Sequence, residues 1–266
     1  MEDKRVNTSS ILDTLERGTP RAGRSERMRR DMTRSPSTMA RVVLVTGFEP
    51  FGGQAVNPSG RIAEALADQK IGGLDVRAGV LPVIRSVSGD RVAELIERYR
   101  PAAVVCFGQG SPRQTMLRIE RLTVNIRDYP SADNAGHRPS GESIVAGAPT
   151  AYFATLPVTL IRDRVRAAGV PCRLSNSAGT FLCNEVFFTA LHLLAARSPS
   201  TPAGFVHVPL LPEQVAQLDR PGPSMALETM LRGARAILET AVDVLSRPRS
   251  GRAPLRGLRG SALLPR

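Results

Sequence analysis

The run Cys172-Arg173-Leu174-Ser175-Asn176-Ser177-Ala178-Gly179-Thr180-Phe181-Leu182-Cys183-Asn184-Glu185-Val186-Phe187-Phe188-Thr189-Ala190-Leu191-His192-Leu193-Leu194 passes from a strand pattern to a helix pattern through small residues. Its apolar, small-residue approach, Cys172 to Leu182, ends in a lone thiol, and helical spacing begins directly after it. A cysteine at the mouth of a helix feels the positive end of the dipole and nearby free N–H groups. Both favour thiolate, the nucleophilic form. A buried structural cysteine is the competing reading.

Outward from this stretch, strands and helices alternate. Strand-like runs are Val42–Thr46, Asp75–Val83, Ala103–Gly108, Ile119–Asn125, Cys172–Asn176 and Gly204–Val208. Helix-like runs are Ser59–Asp68, Asp90–Arg100, Thr150–Ala168, Asn184–Ala196 and Ser224–Leu245, with Pro157 expected near a helix start or at a kink. The interleaving predicts an α/β three-layer sandwich, a mostly parallel central sheet flanked by helices. Such sheets carry their chemistry at the carboxyl ends of the strands. Gly47–Gly53, Gln109, Cys183 and His207 are expected at or just beyond such ends, the first three in loops and His207 within its strand's last residues.

Before Val42 and after Ser246 the patterning fades. Residues 1–39 mix charges with Ser, Thr, Pro and Gly, and 247–266 are rich in Pro, Gly and Arg; both read as disordered, leaving 40–246 as the folded domain. The formal net charge of +12 is concentrated in these tails. The first 39 residues hold nine Lys/Arg against six Asp/Glu, and the last twenty hold six Arg and no acid, so the domain itself is only +3. That distribution argues against a nucleic-acid reader, which needs a basic face on its fold. There is no uninterrupted apolar run of ~18 residues to span a membrane. Met1-Glu2-Asp3-Lys4-Arg5 leads into no apolar signal segment. Three cysteines, an odd number, fit free thiols in a reducing cytoplasm, with Cys106 and Cys172 as packing residues. There is no CxxC and no HExxH, so no metal site is expected.

A thiolate enzyme needs a base that also protonates the leaving group, and a third group that orients the base. His192, nine positions beyond Cys183 on one helix, is about 13 Å away along the axis and reads as packing. His137 lies in a polar, turn-rich loop and reads as solvated. His207 ends an apolar strand running into Pro209 and Pro212, at the top edge of the sheet, where a satisfied core histidine is the alternative. Glu120, among apolar neighbours, must have a partner, because an unpaired buried charge costs several kcal/mol. Arg121 would make a structural pair of it and His207 a catalytic one. Glu185, in the first helical turn, reads as supporting the dipole. The loop Thr46-Gly47-Phe48-Glu49-Pro50-Phe51-Gly52-Gly53 lacks GxGxxG spacing and the Lys-Ser/Thr of a P-loop. Its two Phe side chains suggest an apolar slot for a small uncharged group, or simply a cover for the sheet edge.

Three segments together resemble the pyroglutamyl peptidase I family over residues 41–240. They are Val45–Gly53 with Asn57-Pro58-Ser59; Gly108-Gln109 through Glu120-Arg121 to Asn125; and Ser175–Asn184 with Phe205–Gln214. The resemblance places a catalytic triad on Cys183, His207 and Glu120. It implies an exopeptidase that releases an N-terminal pyroglutamyl residue through a thioacyl-enzyme. Phe48 and Phe51 would sandwich the lactam ring, with Gln109, Phe181 and Leu182 completing the pocket. No metal or organic cofactor is implied, and the partners implied are a pyroglutamyl peptide and other copies of the chain. The match departs from the family at Arg118, usually Ser or Thr, at Thr123, usually Ala, and at Tyr129-Pro130, where an arginine is usual. Arg127 or Arg113 are the stand-ins for that arginine. The alternatives are another thiol amidohydrolase, against which the missing nucleophile-elbow glycines speak, and a catalytically impaired binding homologue.

Overall fold

The computed structural model describes residues 42–246. The expectations for residues 1–39 and 247–266 lie outside the described residues. The chain runs β1 (Val42–Phe48), α1 (Pro58–Leu66), β2 (Lys70–Ile71), β3 (Leu74–Leu81), α2 (Val87–Tyr99), β4 (Ala103–Gln109), β5 (Leu117–Glu120) and β6 (Leu122–Val124). It continues through β7 (Ala151–Phe153), α3 (Val158–Ala167), β8 (Cys172–Ser175), α4 (Leu182–Arg197), β9 (Ala203–Val208), α5 (Pro212–Val215) and α6 (Leu227–Ser246).

Seven strands form one sheet in the order β2-β3-β1-β4-β9-β5-β8, while β6 and β7 make a separate antiparallel pair. β3, β1, β4 and β9 are mutually parallel. β5 runs against β9, and β8 is parallel to β5. The sheet is thus mixed, with a parallel centre. Strands β1, β4 and β9 are buried on both faces, as a sheet covered by helices on each side requires.

Because strand side chains alternate, the sequence parity of each strand sorts its residues between two cores. Val43, Val45, Ala103, Val105, Phe107, Leu117, Ile119, Val206 and Val208 pack with α1, α3 and α6. Leu44, Phe48, Val104, Cys106, Ala203 and Phe205 pack with α2 and α4. The three layers expected from the sequence are present.

Three sequence expectations change in detail. The run Ile119–Asn125 is not one strand: it breaks at Arg121, with β5 in the main sheet and β6 in the small one. The helix expected over Thr150–Ala168 begins only at Val158, with Pro157 as its N-cap residue. Proline biases the residue before it away from helical conformation, and Ala151–Phe153 pairs instead with Leu122–Val124. The last helix starts at Leu227 and not at Ser224.

Candidate active site

Strand parity puts His207 and Glu120 on the same face. Phe205 and Ala203 fix the α2/α4 side for β9, so His207 shares it. Leu117 and Ile119 face the other way, so Arg118 and Glu120 of β5 share the side of His207. Across the antiparallel β5–β9 pair Arg118 lies opposite His207, and Glu120 opposite Phe205. His207 Nδ1 lies 2.9 Å from Glu120 Oε1, and the Glu120 side chain is fully buried. Of the two partners left open for Glu120, His207 is the one it takes. Arg121 is exposed and donates to Asn176 Oδ1 at 3.3 Å.

Cys183 reaches this face by an indirect route. β8 runs against the parallel block, so its carboxyl end is not at that block's carboxyl edge. Ser175 sits level with Glu120. Residues 176–181 then carry the chain to Phe181, the N-cap of α4. Cys183 is therefore inside the first turn of the helix and not in the loop before it. Gly47 and Phe48 likewise end β1, and Gln109 ends β4, as strand residues. The first intrahelical bonds of α4 are made by Asn184 N and Glu185 N to Phe181 O, at 3.0 and 3.2 Å. The N–H groups of Leu182 and Cys183 precede them and have no acceptor within the helix.

The sulfur lies against β4. A Cβ added to Gly108 would stand 2.8 Å from Cys183 Sγ and 2.7 Å from Phe205 Cζ, so only glycine leaves the thiol its place. Gly108 is itself the β4 partner of His207. The Cys183 sulfur and the His207 imidazole line the same cavity, near enough for the sulfur to act on the ring's titration. Burial pulls His207 toward its neutral form. The influence of Cys183, followed by that of Glu120, outweighs burial and raises its pKa from 6.5 to about 9. Sulfur, imidazole and carboxylate thus form one connected line. Cys106, deeper on the same face of β4, is buried and its thiol is pushed up to about 12 by that burial, as befits a packing residue. Cys172 is buried on the other side of the sheet.

A cavity of about 800 Å³ opens over this line. Phe48, Phe51, Phe181, Leu182 and Gln109 all line it, together with Cys183 and His207. Phe51 and Phe181 lie 6.1 Å apart between ring centroids, inclined by 39°. The Phe48 end of the slot is held by Ser59, whose Oγ accepts Phe48 N at 3.0 Å, and by Asn57, which donates to Glu49 O at 2.9 Å. Gln109 Oε1 accepts from Gln214 Nε2 at 2.9 Å, which orients the Gln109 amide with its own N–H₂ available to a ligand.

Several contributors escape a sequence reading. Tyr129 is buried and presents its ring edge-on to Phe181, with 4.7 Å between centroids. Its hydroxyl donates to Glu185 Oε2 at 2.6 Å. Glu185 also accepts Arg127 Nε at 2.8 Å, Arg127 Nη2 at 2.9 Å and Ser86 N at 2.9 Å. It is a buried hub, which corrects its assignment to the helix dipole alone. Arg127 is spent on this hub and does not line the cavity, and neither does Arg113. The arginines in the cavity wall are Arg118 and Arg138. Thr123 is structural, its hydroxyl reaching Asn184 Oδ1 at 2.6 Å directly after Cys183. His192 packs as expected, stacked on Phe188 and bonded to Tyr152 Oη at 2.8 Å. His137 is exposed and bonded to Asp133.

Comparison with known proteins gives a consistent result. A family profile described as pyroglutamyl peptidase matches residues 41–244. The pyrrolidone-carboxylate peptidase of Cupriavidus taiwanensis is 45% identical over 204 residues, covering 76% of this chain and 93% of its own. That of Vibrio vulnificus is 41% identical over 203 residues, with the same coverage. The crystal structure of pyrrolidone carboxyl peptidase from Pyrococcus furiosus superposes with a TM-score of 0.75 at 40% identity, covering 77% of this chain and 99% of that one.

Proposed function

This chain belongs to the pyroglutamyl peptidase family, cysteine peptidases that remove N-terminal pyroglutamate, and we propose that Cys183, His207 and Glu120 carry that hydrolysis here. The observation behind this assignment is the placement of His207 between the Cys183 thiol and the Glu120 carboxylate in the wall of one apolar cavity.

The chemistry follows from that line. A pyroglutamyl residue has a lactam where other N-termini have a charged amine, so its pocket needs apolar walls and a few hydrogen bonds. Phe48, Phe51, Phe181 and Leu182 supply the walls, and the Gln109 N–H₂ is placed to donate to the lactam carbonyl. The sulfur anion of Cys183 attacks the pyroglutamyl carbonyl carbon. The oxygen, as it gains charge, is met by the N–H of Cys183 at the start of α4; one such donor is worth about 3 kcal/mol in comparable sites. His207, protonated up to about pH 9, gives its Nε2 proton to the departing amine and breaks the C–N bond. The neutral imidazole then takes a proton from water, whose oxygen attacks the thioester. Free pyroglutamate leaves and the thiolate–imidazolium pair returns. Glu120 accepts a hydrogen bond from Nδ1–H throughout and fixes which nitrogen faces the sulfur.

Three free cysteines support a reducing, cytoplasmic setting. A homo-oligomer is the proposed assembly, with Phe153, 70% exposed on β7, available to an interface. Among the described residues no helix is long and apolar enough to cross a membrane. The decisive experiment is release of a chromophore from a pyroglutamyl amide by wild type and by Cys183→Ser. Loss of at least about a thousandfold in kcat is expected; substantial turnover by the variant refutes the nucleophile assignment.

A further inference from the structure

The peptide that departs must also be accommodated, and the cavity wall beside His207 indicates its chemistry. Arg118 lies directly opposite His207 in the antiparallel β5–β9 pair. Opposed side chains in such a pair share a face, with Cβ atoms about 5 Å apart. Arg118 is half-buried and lines the cavity. Among the described residues its guanidinium has no hydrogen bond or ion pair with a protein acceptor. Glu120, two positions along the same face, is committed to His207 through Oε1. The cavity's other charged walls are Arg138, which donates to Tyr129 O at 3.4 Å, and Asp128, which accepts the Ser140 hydroxyl at 3.1 Å. The region next to the imidazole therefore presents a cation with unused donors.

The reaction fixes what lies there. His207 protonates the departing amine, so the first residue of the leaving peptide sits beside His207 and within reach of its cross-strand neighbour. The lactam's apolar contacts, from Phe48, Phe51 and Phe181, come from other elements. Building on the peptidase reading, we infer that Arg118 reads a carboxylate on the first leaving residue. The preferred substrates are pyroglutamyl peptides in which that residue is acidic or is itself the C-terminus. A guanidinium pairs a carboxylate through two parallel N–H groups.

The test compares kcat/KM for pyroglutamyl-alanine, pyroglutamyl-alanine amide and pyroglutamyl-glutamate amide, in wild type, Arg118→Ser and Arg118→Lys. At low ionic strength the wild type is expected to favour the better carboxylate substrate about tenfold over the neutral amide, chiefly through KM, with the preference shrinking as salt is added. The two acidic substrates separate an α-carboxylate from a side-chain carboxylate. Arg118→Ser brings the ratio to about one, and Arg118→Lys keeps part of it. A ratio near one in wild type overturns the inference, as does an unchanged ratio in Arg118→Ser. Equal losses on all three substrates also overturn it, since Arg118 would then serve the fold or His207 alone. The peptidase reading fails separately, if wild type cleaves none of the three. Calorimetric binding of the same peptides to Cys183→Ala still measures the discrimination in that event.

Discussion

Replacing Glu185 by alanine tests the support beneath Cys183. Its side chain is 1% exposed and accepts four hydrogen bonds, two from Arg127 and one each from Tyr129 and Ser86. Arg127 is itself only 11% exposed at its side chain, and besides Glu185 its guanidinium has the Ser143 carbonyl at 2.9 Å. Breaking a buried pair by removing one member typically costs about 3–5 kcal/mol, because the other charge is left without compensation. For a domain of this size, about 4 kcal/mol lowers Tm by roughly 8–16 °C. The loss should be specific to the broken pair. In the triple variant Arg127→Met, Tyr129→Phe, Glu185→Met no charge is left unpaired, only Ser86 N and the Ser143 carbonyl lose a partner, and stability is expected within about 2 kcal/mol of wild type. Urea titrations of both variants supply the comparison. Glu185→Ala should also lower kcat/KM, since Tyr129 braces Phe181 and Glu185 lies in the turn that carries Cys183. A cost below about 1 kcal/mol for Glu185→Ala, or a triple variant as unstable as the single one, refutes the view of Glu185 as a charge-compensating hub.

Other outcomes follow from the same geometry. Glu120→Gln replaces the acceptor of the His207 Nδ1 proton with an amide that can hold the wrong tautomer, and kcat is expected to fall about 10³- to 10⁴-fold in steady-state assays while the fold survives. His207 has a raised pKa, so its cationic form is favoured by the fold. Peptidase activity should decline as pH rises through about 9, and the stability from this proton should be complete below 6.5 and gone above about 9. In Cys183→Ala the strongest raising influence is removed, leaving burial opposed only by Glu120. The imidazole should then titrate at lower pH, as ¹⁵N NMR of the ring nitrogens can follow. Gly108→Ala forces a methyl to within 2.8 Å of the sulfur, and kcat should drop about 10²-fold, with a smaller effect on Tm.

Much of this protein was legible in its sequence because the controlling patterns are local. Alternating strand and helix runs specify layers, and a thiol followed at once by helical spacing specifies a cysteine at a helix start. A lone glutamate in an apolar strand must find a partner somewhere. What stayed hidden depends on how separate segments meet. Nothing local shows that Arg121 breaks one apparent strand into two sheets, because that break is driven by pairing partners 27 or more residues away. Glu185 looks like a dipole residue until Arg127 and Tyr129 arrive beside it from a distant loop. Arg118 stands out in sequence only as a departure from a pattern. The reversed direction of β5 is what sets it beside His207 and gives it something to read. Sequence therefore determined which residue types were available and what each could do, since side-chain chemistry and short-range periodicity travel with the chain. Tertiary structure alone decided which of them act together, because strand direction and register, fixed by burying whole faces at once, set every distance in the site.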